Sequence, residues 1–365
     1  MLDWVRNVLK NNGKVMGILM AFLVLSGCGN SQSPVQETAE TESEAESIEV
    51  SEATEETEES ESEIIAPEIS SDEKTEESLP EPTPEPEPEL IAAEAVTPEP
   101  EPTPEPVLAS KNGYADGEGV SLDPGWRFAE FSLINSGNAV MYLAKDNRKD
   151  IIIGVNAGHG TSGSYDYYTY SHPDQTPKVT GGTTSAGSLK SVSVSSGMEF
   201  HDGVPEKSVT LKMAQILKDK LLASGYDVLM IRDGEDVQLD NIARTVICNN
   251  AADCHIALHW DGDGLDYDKG CYYMSVPDGI KYLDNVASAW QSSEHLGDCL
   301  ISGLSEYGNK IFDEGHMDQD LTQTSYSSIP SVDIELGNSA SDHSDEKLAR
   351  LGDGLLKGIN SYFGF

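Results

Sequence analysis

The carboxyl-terminal part of the chain, residues 150–365, is predicted to be an α/β domain with a single mostly parallel twisted sheet and helices on both faces. Three observations predict this fold. Ile151–Val155 is a continuous apolar run, as strands buried on both faces of a parallel sheet show. Lys207–Ala223 has the period of a helix that packs on such a sheet. Apolar strands and amphipathic helices then alternate to the end of the chain, which is typical of βαβ units.

The order of the elements follows from the same periodicities. In the first helix, apolar residues at offsets 0, 4, 7, 8 and 12 form one stripe: Val209, Met213, Ile216, Leu217 and Leu221. A glycine, Gly225, ends this helix. The elements predicted after it are strands at 226–231, 254–258, 272–276 and 331–336, and helices at 239–251, 282–304 and 344–363. In such folds ligands bind at the carboxyl ends of the parallel strands.

Two segments do not fit this alternation. Residues 108–149 form an extension before the domain, in which Phe128–Ile134 and Ala139–Leu143 flank Asn135–Asn138, a pattern that predicts a hairpin. Residues 161–203 are rich in Gly, Ser and Thr and have no clear period. A loop of this length inside a compact domain is usually functional or mobile.

Residues 28–107 are predicted to be a disordered acidic tether that is rich in Pro and Glu. From residue 31 to residue 107 the chain has 26 Asp or Glu, one Lys, 12 of its 18 prolines and no glycine, so the net charge is −25. A segment with so few apolar residues cannot bury enough surface to offset the entropy of ordering. At roughly 3.1 Å per residue in a polyproline-like state it would reach about 240 Å at most. Binding of a cationic partner is the alternative.

Residues 1–27 have the features of a bacterial lipoprotein signal peptide. Basic residues precede the apolar run Val15–Leu25, which is too short for an ordinary membrane-spanning helix. The run leads into Leu25-Ser26-Gly27-Cys28, which resembles the lipobox at which cleavage leaves a lipidated Cys28. The mature protein is therefore expected to be extracytoplasmic, anchored by lipid to the outer face of the cell membrane. The alternative is an ordinary signal peptide with an incidental cysteine.

Charge and cysteine content limit the remaining possibilities. Residues 108–365 carry a net charge of −18, so no nucleic-acid partner is expected. Cys248, Cys254, Cys271 and Cys299 include no CxxC pair, which argues against a cysteine zinc site. Four cysteines allow three disulfide pairings, which an exported location permits, and buried free thiols are an equal alternative.

Four residues at the ends of predicted elements are of the types that perform metal-assisted hydrolysis. His159 and His259 each follow a buried strand, Glu206 begins a helix and Glu335 ends a strand. Two imidazoles and a carboxylate are a common catalytic zinc set that leaves one position for water. A further carboxylate that does not bind the metal can carry the proton. Spacing alone gives only candidates, because a single histidine after a strand is more often a packed or surface residue.

Six short segments, in this order along the chain, resemble those of the zinc N-acetylmuramoyl-L-alanine amidases of bacterial cell walls. They are Ala157-Gly158-His159-Gly160, Glu206–Leu211, Arg232-Asp233, Leu239 through Arg244 to Asn249, Ala252 through His259, and Pro330–Gly337. The resemblance covers about 150–363. It implies that His159, Glu206 and His259 bind zinc and that Glu335 is the catalytic carboxylate.

The same resemblance implies the substrate and the partners. The substrate is peptidoglycan, cut at the amide between the lactyl group of N-acetylmuramic acid and L-alanine of the stem peptide, in cell-wall remodelling. Zn²⁺ is the implied cofactor. Apart from the resemblance, the lipobox implies contact with the membrane through the lipid anchor, and the protein is expected to be a monomer that faces the cell wall. Two alternatives remain: a related zinc peptidase that cuts stem peptides, and a wall-binding lipoprotein without catalysis.

Several positions differ from the family pattern. Ala157 stands where the family usually has Pro, and Trp260–Asp263 replace a small residue and Asn-Ala. Asp333 takes a position that is usually apolar. Because Asp333 and Glu335 share one face of a strand, Asp333 is a candidate for orienting a metal ligand or for tuning Glu335; a partly solvated carboxylate is the alternative.

The other histidines and the aromatic residues near the site have simpler interpretations. His255 shares a strand face with His259 but is expected to pack in the core. The remaining histidines are expected to be solvated: His172, His201, His295, His316 and His343. Four aromatic residues could stack on sugar rings or pack within the fold: Tyr167, Tyr168, Tyr170 and Trp260.

Overall fold

The computed structural model describes residues 108–365 and confirms the predicted α/β fold. The strands are β1 (Gly119–Ser121), β2 (Asn138–Tyr142), β3 (Ile152–Ala157), β4 (Tyr168–Tyr170), β5 (Lys190–Val192), β6 (Asp227–Met230), β7 (Cys254–Asp261), β8 (Cys271–Ser275), β9 (Ile311–Asp318) and β10 (Ser331–Asn338). The helices are α1 (Glu206–Ala223), α2 (Asn241–Ala251), α3 (Asp284–Glu306), α4 (Thr322–Tyr326) and α5 (Asp345–Phe363). The predicted signal peptide, lipidation site and tether lie outside the described residues.

Eight strands form the central sheet in the order β1-β2-β6-β3-β7-β10-β8-β9. The four middle strands, β6, β3, β7 and β10, are all parallel. Strand β8 runs antiparallel to β10 and parallel to β9. The carboxyl ends of β3, β7 and β10 therefore lie side by side in the middle of the sheet, which is where the candidate residues converge.

Helices cover both faces of the sheet, as predicted. On one face α1, α3 and α5 bury their apolar sides against β3, β7 and β10 in the largest hydrophobic cluster. On the other face α2 packs against β3 and β6. Helices α3 and α5 approach so closely that a Cβ at Gly303, Gly354 or Gly358 would lie within 3 Å of backbone atoms of the opposite helix. Only glycine allows this contact, so the back of the domain is closely packed.

The predicted hairpin in the extension is wrong. Residues 138–142 form β2 as expected, but their antiparallel partner is β1, and Ala129–Phe131 is a turn of 3₁₀ helix. Phe128 and its neighbours pack instead on α2 and on Tyr326. Strand β2 also pairs with β6, so the extension adds two antiparallel strands to the edge of the sheet. Alternating apolar residues fitted a strand, yet burial against α2 outweighed that local pattern.

Sequence periodicity missed two elements between α3 and β10. Strand β9 pairs with β8 along one side and forms an edge of the sheet. It contains Asp313, Glu314, His316 and Asp318, a polar content that hides a strand from a search for apolar runs. Helix α4 has only five residues, fewer than periodicity can detect. None of the helices within residues 108–365 is long and apolar enough to cross a membrane.

The long segment between His159 and Glu206, residues 160–205, is an insertion at the carboxyl edge of the sheet. Its regular parts are a turn of 3₁₀ helix at Ser164–Asp166 and the antiparallel pair of β4 and β5. Much of its backbone is held by hydrogen bonds to other parts of the domain, for example from Val237 N to Gly160 O and from Asn241 N to Ser193 O. The insertion is therefore packed against the rest of the domain and borders the candidate site.

Candidate metal centre

Three side chains from distant parts of the chain converge at the carboxyl edge of the sheet. His159 follows β3, Glu206 is the first residue of α1 and His259 lies on β7. His159 Nε2 lies 2.9 Å from Glu206 Oε1 and 3.0 Å from His259 Nδ1, and the Glu206 Oε1 to His259 Nδ1 distance is 3.2 Å. Within residues 108–365, no other set of three potential metal ligands brings its donor atoms this close.

The spacing of these donor atoms fits a small tetrahedral ion. Nitrogen and oxygen ligands about 2.1 Å from zinc lie about 3.4 Å from each other, so the observed separations need to widen by only a few tenths of an ångström. His159 Nδ1 donates to the Ser195 carbonyl oxygen at 2.8 Å. This bond selects the tautomer in which the lone pair on Nε2 faces the other two donors. The three residues could therefore hold a metal ion.

The charges of the cluster favour a cation between its members. Burial alone raises the pKa of the Glu206 carboxyl, but the imidazoles of His159 and His259 outweigh this and hold that pKa below its usual range. Burial alone lowers the pKa of His259, but the carboxylates of Asp333 and Glu206 reverse the effect and raise it to about 10. The anionic surroundings thus hold a positive charge at His259, and a bound metal ion would replace that proton.

Two buried arginines hold the loop that carries His159. Arg232 donates to the carbonyl oxygens of Ala157 and Gly158 at 3.2 and 3.0 Å. Arg244 is fully buried and donates hydrogen bonds to five oxygen atoms. These are Asn156 Oδ1, Thr161 Oγ1 and the carbonyl oxygens of Ala157, His159 and Leu239. His159 itself has a φ of 64°, an uncommon value for a residue with a side chain. The arginines stabilise this turn, which aims the imidazole at Glu206.

Backbone N–H groups fix the Glu206 carboxylate. Trp260 N donates to Oε1 and Met198 N donates to Oε2, both at 3.0 Å. Gly197 has a φ of 84° and lies over the cluster, because a Cβ there would be 2.9 Å from Glu206 Oε2 and from His159 Cδ2. The insertion therefore contributes backbone contacts to the candidate ligands and covers them on one side.

Asp333 lies next to His259 and faces its second ring nitrogen. The distance from Asp333 Oδ2 to His259 Nε2 is 3.7 Å. Both residues line one cavity, and Asp333 is buried. Burial raises the pKa of the Asp333 carboxyl. Because His259 points Nδ1 at Glu206, its Nε2–H is directed toward this carboxylate.

Glu335 is placed directly across from His259 in the parallel pair of β7 and β10. It is buried, and within residues 108–365 its Oε2 has no hydrogen-bond partner. Burial raises the pKa of Glu335 well above its usual value. A buried carboxyl of this kind takes up and releases a proton more readily near neutral pH than an exposed one.

The candidate ligands lie at one end of a cavity of about 630 Å³. Its floor is the sheet face that carries Asp333 and Glu335 on β10, Tyr272 and Met274 on β8, and Met317 on β9. The insertion supplies much of the opposite wall, through Lys178, Gly182–Thr184, Ser191–Val192 and Val194–Met198. Polar residues from α2 and α4 complete the lining, including Asn241, Thr322 and Gln323.

The insertion is anchored to the far end of the cavity by a buried carboxylate that sequence reasoning missed. Asp320 accepts hydrogen bonds from His172 Nε2 at 2.9 Å, Val179 N at 2.8 Å and Thr180 N at 2.9 Å, and its Oδ1 lies 3.2 Å from Lys178 Nζ. We call this group the Asp320 clasp. The prediction that His172 is solvated is wrong, because this histidine is 1% exposed within the clasp.

Other predictions about nearby residues have mixed outcomes. His255 is buried in the core as expected, and burial beside Arg244 lowers its pKa to about 3, so the ring is neutral. Trp260 is buried and cannot stack on a sugar ring, whereas Tyr167 and Tyr168 are half exposed. The cysteines within the described residues, which are Cys248, Cys254, Cys271 and Cys299, are free thiols.

An open α/β sheet whose carboxyl edge carries a His/Glu/His cluster that could hold a metal ion is the frame of the site, and a family model covers it. The model of the Amidase_3 family, N-acetylmuramoyl-L-alanine amidase, matches residues 153–354, more than half of the chain. The chain belongs to this family. It is thus an N-acetylmuramoyl-L-alanine amidase by class, an enzyme of peptidoglycan amide hydrolysis.

Solved structures of such amidases are similar at low identity. Ami1 of Mycobacterium smegmatis is 18% identical over 59% of this chain and 97% of its own, with a TM-score of 0.49. An amidase of Clostridium difficile 630 is 16% identical over 59% of this chain and 97% of its own, with a TM-score of 0.43. AmiC2 of Nostoc punctiforme is 16% identical over 60% of this chain and 100% of its own, with a TM-score of 0.42. No curated protein sequence matches the chain.

Arg244 offers a test of how the His159 loop is held. Arg244→Met keeps the apolar stem but removes the donors to five buried oxygen atoms, so we expect the free energy of unfolding to fall by about 3 kcal/mol or more. The measurement is chemical denaturation followed by circular dichroism. Arg350→Met on the exposed face of α5 is the matched control and should change stability by less than about 0.5 kcal/mol. Equal stability of the two variants would contradict the assigned role.

Proposed function

We propose that this amidase uses a zinc ion held by His159, Glu206 and His259, with Glu335 as the catalytic carboxylate, to cut the bond between N-acetylmuramic acid and L-alanine. The main support for this proposal is that the three convergent donor atoms and the buried carboxylate of Glu335 line the same cavity. Within the described residues, Glu335 Oε2 has no hydrogen-bond partner. Cell-wall remodelling is the role that fits this reaction.

Zinc bound by these residues would lower the pKa of water and polarise the scissile carbonyl. The residues of the chain perform the remaining tasks. Glu335 accepts a proton as the water oxygen bonds to the lactyl carbonyl carbon. It donates that proton to the alanine nitrogen as the carbon–nitrogen bond breaks. The products are a lactyl carboxylate on the glycan and a stem peptide with a free amino group.

The structure favours Glu335 over Asp333 for this proton transfer. Asp333 Oδ2 lies 3.7 Å from His259 Nε2, a position from which it would orient that ring. Glu335 lies two residues nearer the carboxyl edge, opposite His259, and within residues 108–365 its Oε2 has no hydrogen-bond partner, so it can receive a proton. The raised pKa of Glu335 suits a group that must first accept and then donate.

We also propose that the enzyme is a lipoprotein that works outside the cytoplasm. The support is the sequence alone: the short apolar run before Cys28 and the acidic, proline-rich segment that follows it. A lipid at Cys28 would hold the enzyme at the membrane, and an extended segment of up to about 240 Å would let the catalytic domain contact the wall.

Replacement of Glu335 tests the catalytic assignment. We expect Glu335→Gln and Glu335→Ala to retain one zinc per chain and to lose amidase activity at least 100-fold, because the proton carrier is removed. Elemental analysis gives the metal content, and mass analysis of digested peptidoglycan gives the activity. An amidase releases intact stems with a free alanine amino group, whereas a peptidase leaves residues on muramic acid. Asp266→Asn, on an exposed loop, is the control. Wild-type turnover by Glu335→Ala would refute the assignment.

Asp333 is proposed to orient His259 for metal binding. We expect Asp333→Leu to weaken zinc binding about 10- to 100-fold, since partners of ligating histidines commonly contribute that much. Asp333→Asn keeps an oxygen acceptor, so zinc binding should weaken less in this variant than in Asp333→Leu. The dissociation constant of zinc, measured by competition with a chelating dye, is the readout. The structure buries Asp333, so the alternative of a partly solvated carboxylate does not hold. An unchanged constant in Asp333→Leu would show that Asp333 does not orient His259 for metal binding.

Cys28 provides the test of the anchor. With Cys28→Ser, the protein should move from the membrane fraction to the soluble fraction, because no lipid can be attached. Activity of the purified variant on soluble muropeptides should stay at the wild-type level. Fractionation with immunoblotting measures the first effect, and mass analysis of the wild-type amino terminus identifies the lipid. A variant that stays in the membrane fraction would disprove the lipoprotein proposal.

A further inference from the structure

The position of Glu335 gives the direction of the stem peptide, if the proposed function is correct. Glu335 must give its proton to the departing nitrogen, and this nitrogen carries the stem. Glu335 lies on β10, which separates His259 on β7 from Tyr272 on β8. The nitrogen therefore lies on the β8 side of the metal ligands, and the stem continues over β8 toward β9.

The floor along this path is a continuous part of the cavity. Tyr272 is paired with Glu335, and Met274 lies two residues further on the same face of β8. Met274 is paired in turn with Met317 on β9. All four side chains line the cavity. The two methionines give this end a soft apolar floor that suits the aliphatic groups of a peptide.

The length of the path limits what it can hold. From Glu335 on β10 the path crosses two strand spacings to β9, about 10 Å, and shifts by two residues along the strands, about 7 Å, which gives a diagonal of about 12 Å. An extended peptide advances about 3.4 Å per residue, so about three to four residues fit. That is the size of a single stem.

The far end of the path is closed by the Asp320 clasp. Gln319 and Leu321, which flank Asp320, line the cavity, and so does Lys178, whose Nζ lies 3.2 Å from Asp320 Oδ1. Beyond the clasp, Gly182 lies so close that a Cβ there would overlap the Gln319 side chain. The insertion and the segment after β9 are thus in direct contact where the path ends.

The bonds of the clasp make this closure stable. Asp320 is 1% exposed, and burial raises the pKa of its carboxyl, but the hydrogen bonds from His172 and Thr180 reverse this and hold it below the usual range. The carboxylate thus stays ionised and bonded at neutral pH. Opening would break these hydrogen bonds and separate the carboxylate from Lys178.

We propose that the Asp320 clasp restricts this amidase to stem peptides that carry no cross-link. A cross-linked stem continues into a second stem, through its carboxyl end or through the side chain of its third residue. That continuation would have to pass where the insertion contacts Gln319 and Asp320. A free stem of about four residues ends before this contact and is accepted.

The test compares hydrolysis of uncrosslinked muropeptide monomers with cross-linked dimers, using the full chain loaded with zinc. We expect kcat/KM for monomers to exceed that for dimers at least tenfold, as measured by liquid chromatography and mass analysis. Equal rates on monomers and dimers would overturn the selectivity while the proposed function stands. Absence of amide cleavage on both substrates would instead overturn the proposed function, and the present inference with it.

Two variants test whether the clasp causes the selectivity. Asp320→Ala removes the carboxylate, and deletion of Gly181–Ser185 removes the part of the insertion that contacts Gln319 while keeping Asp320. Backbone hydrogen bonds between Lys178 and Gly187–Ser188 already close the base of this loop. The deletion variant should therefore fold even if Asp320→Ala does not. In either variant the monomer-to-dimer ratio of kcat/KM should fall at least threefold toward one.

The matched control is Asp227→Ala. Asp227 is another buried carboxylate with a basic partner, Arg148 at 2.5 Å, but it is the first residue of β6, at the amino end of a central strand, and it does not line the cavity. Its loss should lower stability without changing the monomer-to-dimer ratio. A ratio that stays at the wild-type value in both clasp variants, or that falls as much in Asp227→Ala, would show that the clasp does not set selectivity.

Discussion

The buried carboxylate of Glu206 is the interaction on which the rest of the site depends. It contacts both imidazoles, and it accepts backbone N–H groups from the insertion and from β7. A single carboxylate thus joins the start of α1, the ends of two strands and the loop that covers them. Its negative charge is acceptable in this buried place only with cationic or hydrogen-bonding partners on every side. The metal ion proposed here is the partner that satisfies all three donors at once.

Much of the fold follows from residues that a reader of the sequence can recognise. The apolar run at Ile151–Val155 and the stripe on α1 indicate buried elements, because the first is apolar on both faces and the second repeats with the period of a helix. The convergence of His159, Glu206 and His259 needed the family resemblance as well, since each residue alone is ambiguous. Elements that carry little apolar pattern, such as β9 and α4, were missed because packing and pairing, not local sequence, create them.

The insertion shows most clearly what sequence reasoning could not reach. Its Gly, Ser and Thr content indicated a functional or mobile loop, but the structure gives it fixed contacts at both ends. One end reaches His159 and Glu206, and the other reaches Asp320. Nothing in the sequence marks Asp320, because an isolated aspartate after a polar strand is usually solvated. Its role depends on His172, about 150 residues earlier, and only the fold brings the two together.

The charged edge strand β9 affects how copies of the protein interact with one another. An exposed strand edge offers unpaired backbone groups to any neighbouring chain and can start aggregation. Asp313, Glu314 and Asp318 place negative charge along this edge, and the whole domain is acidic. Two such edges repel each other before they can pair. Charge on β9 therefore opposes edge-to-edge pairing between copies of the domain, and it is the same polar sequence that concealed β9 from a search for apolar runs.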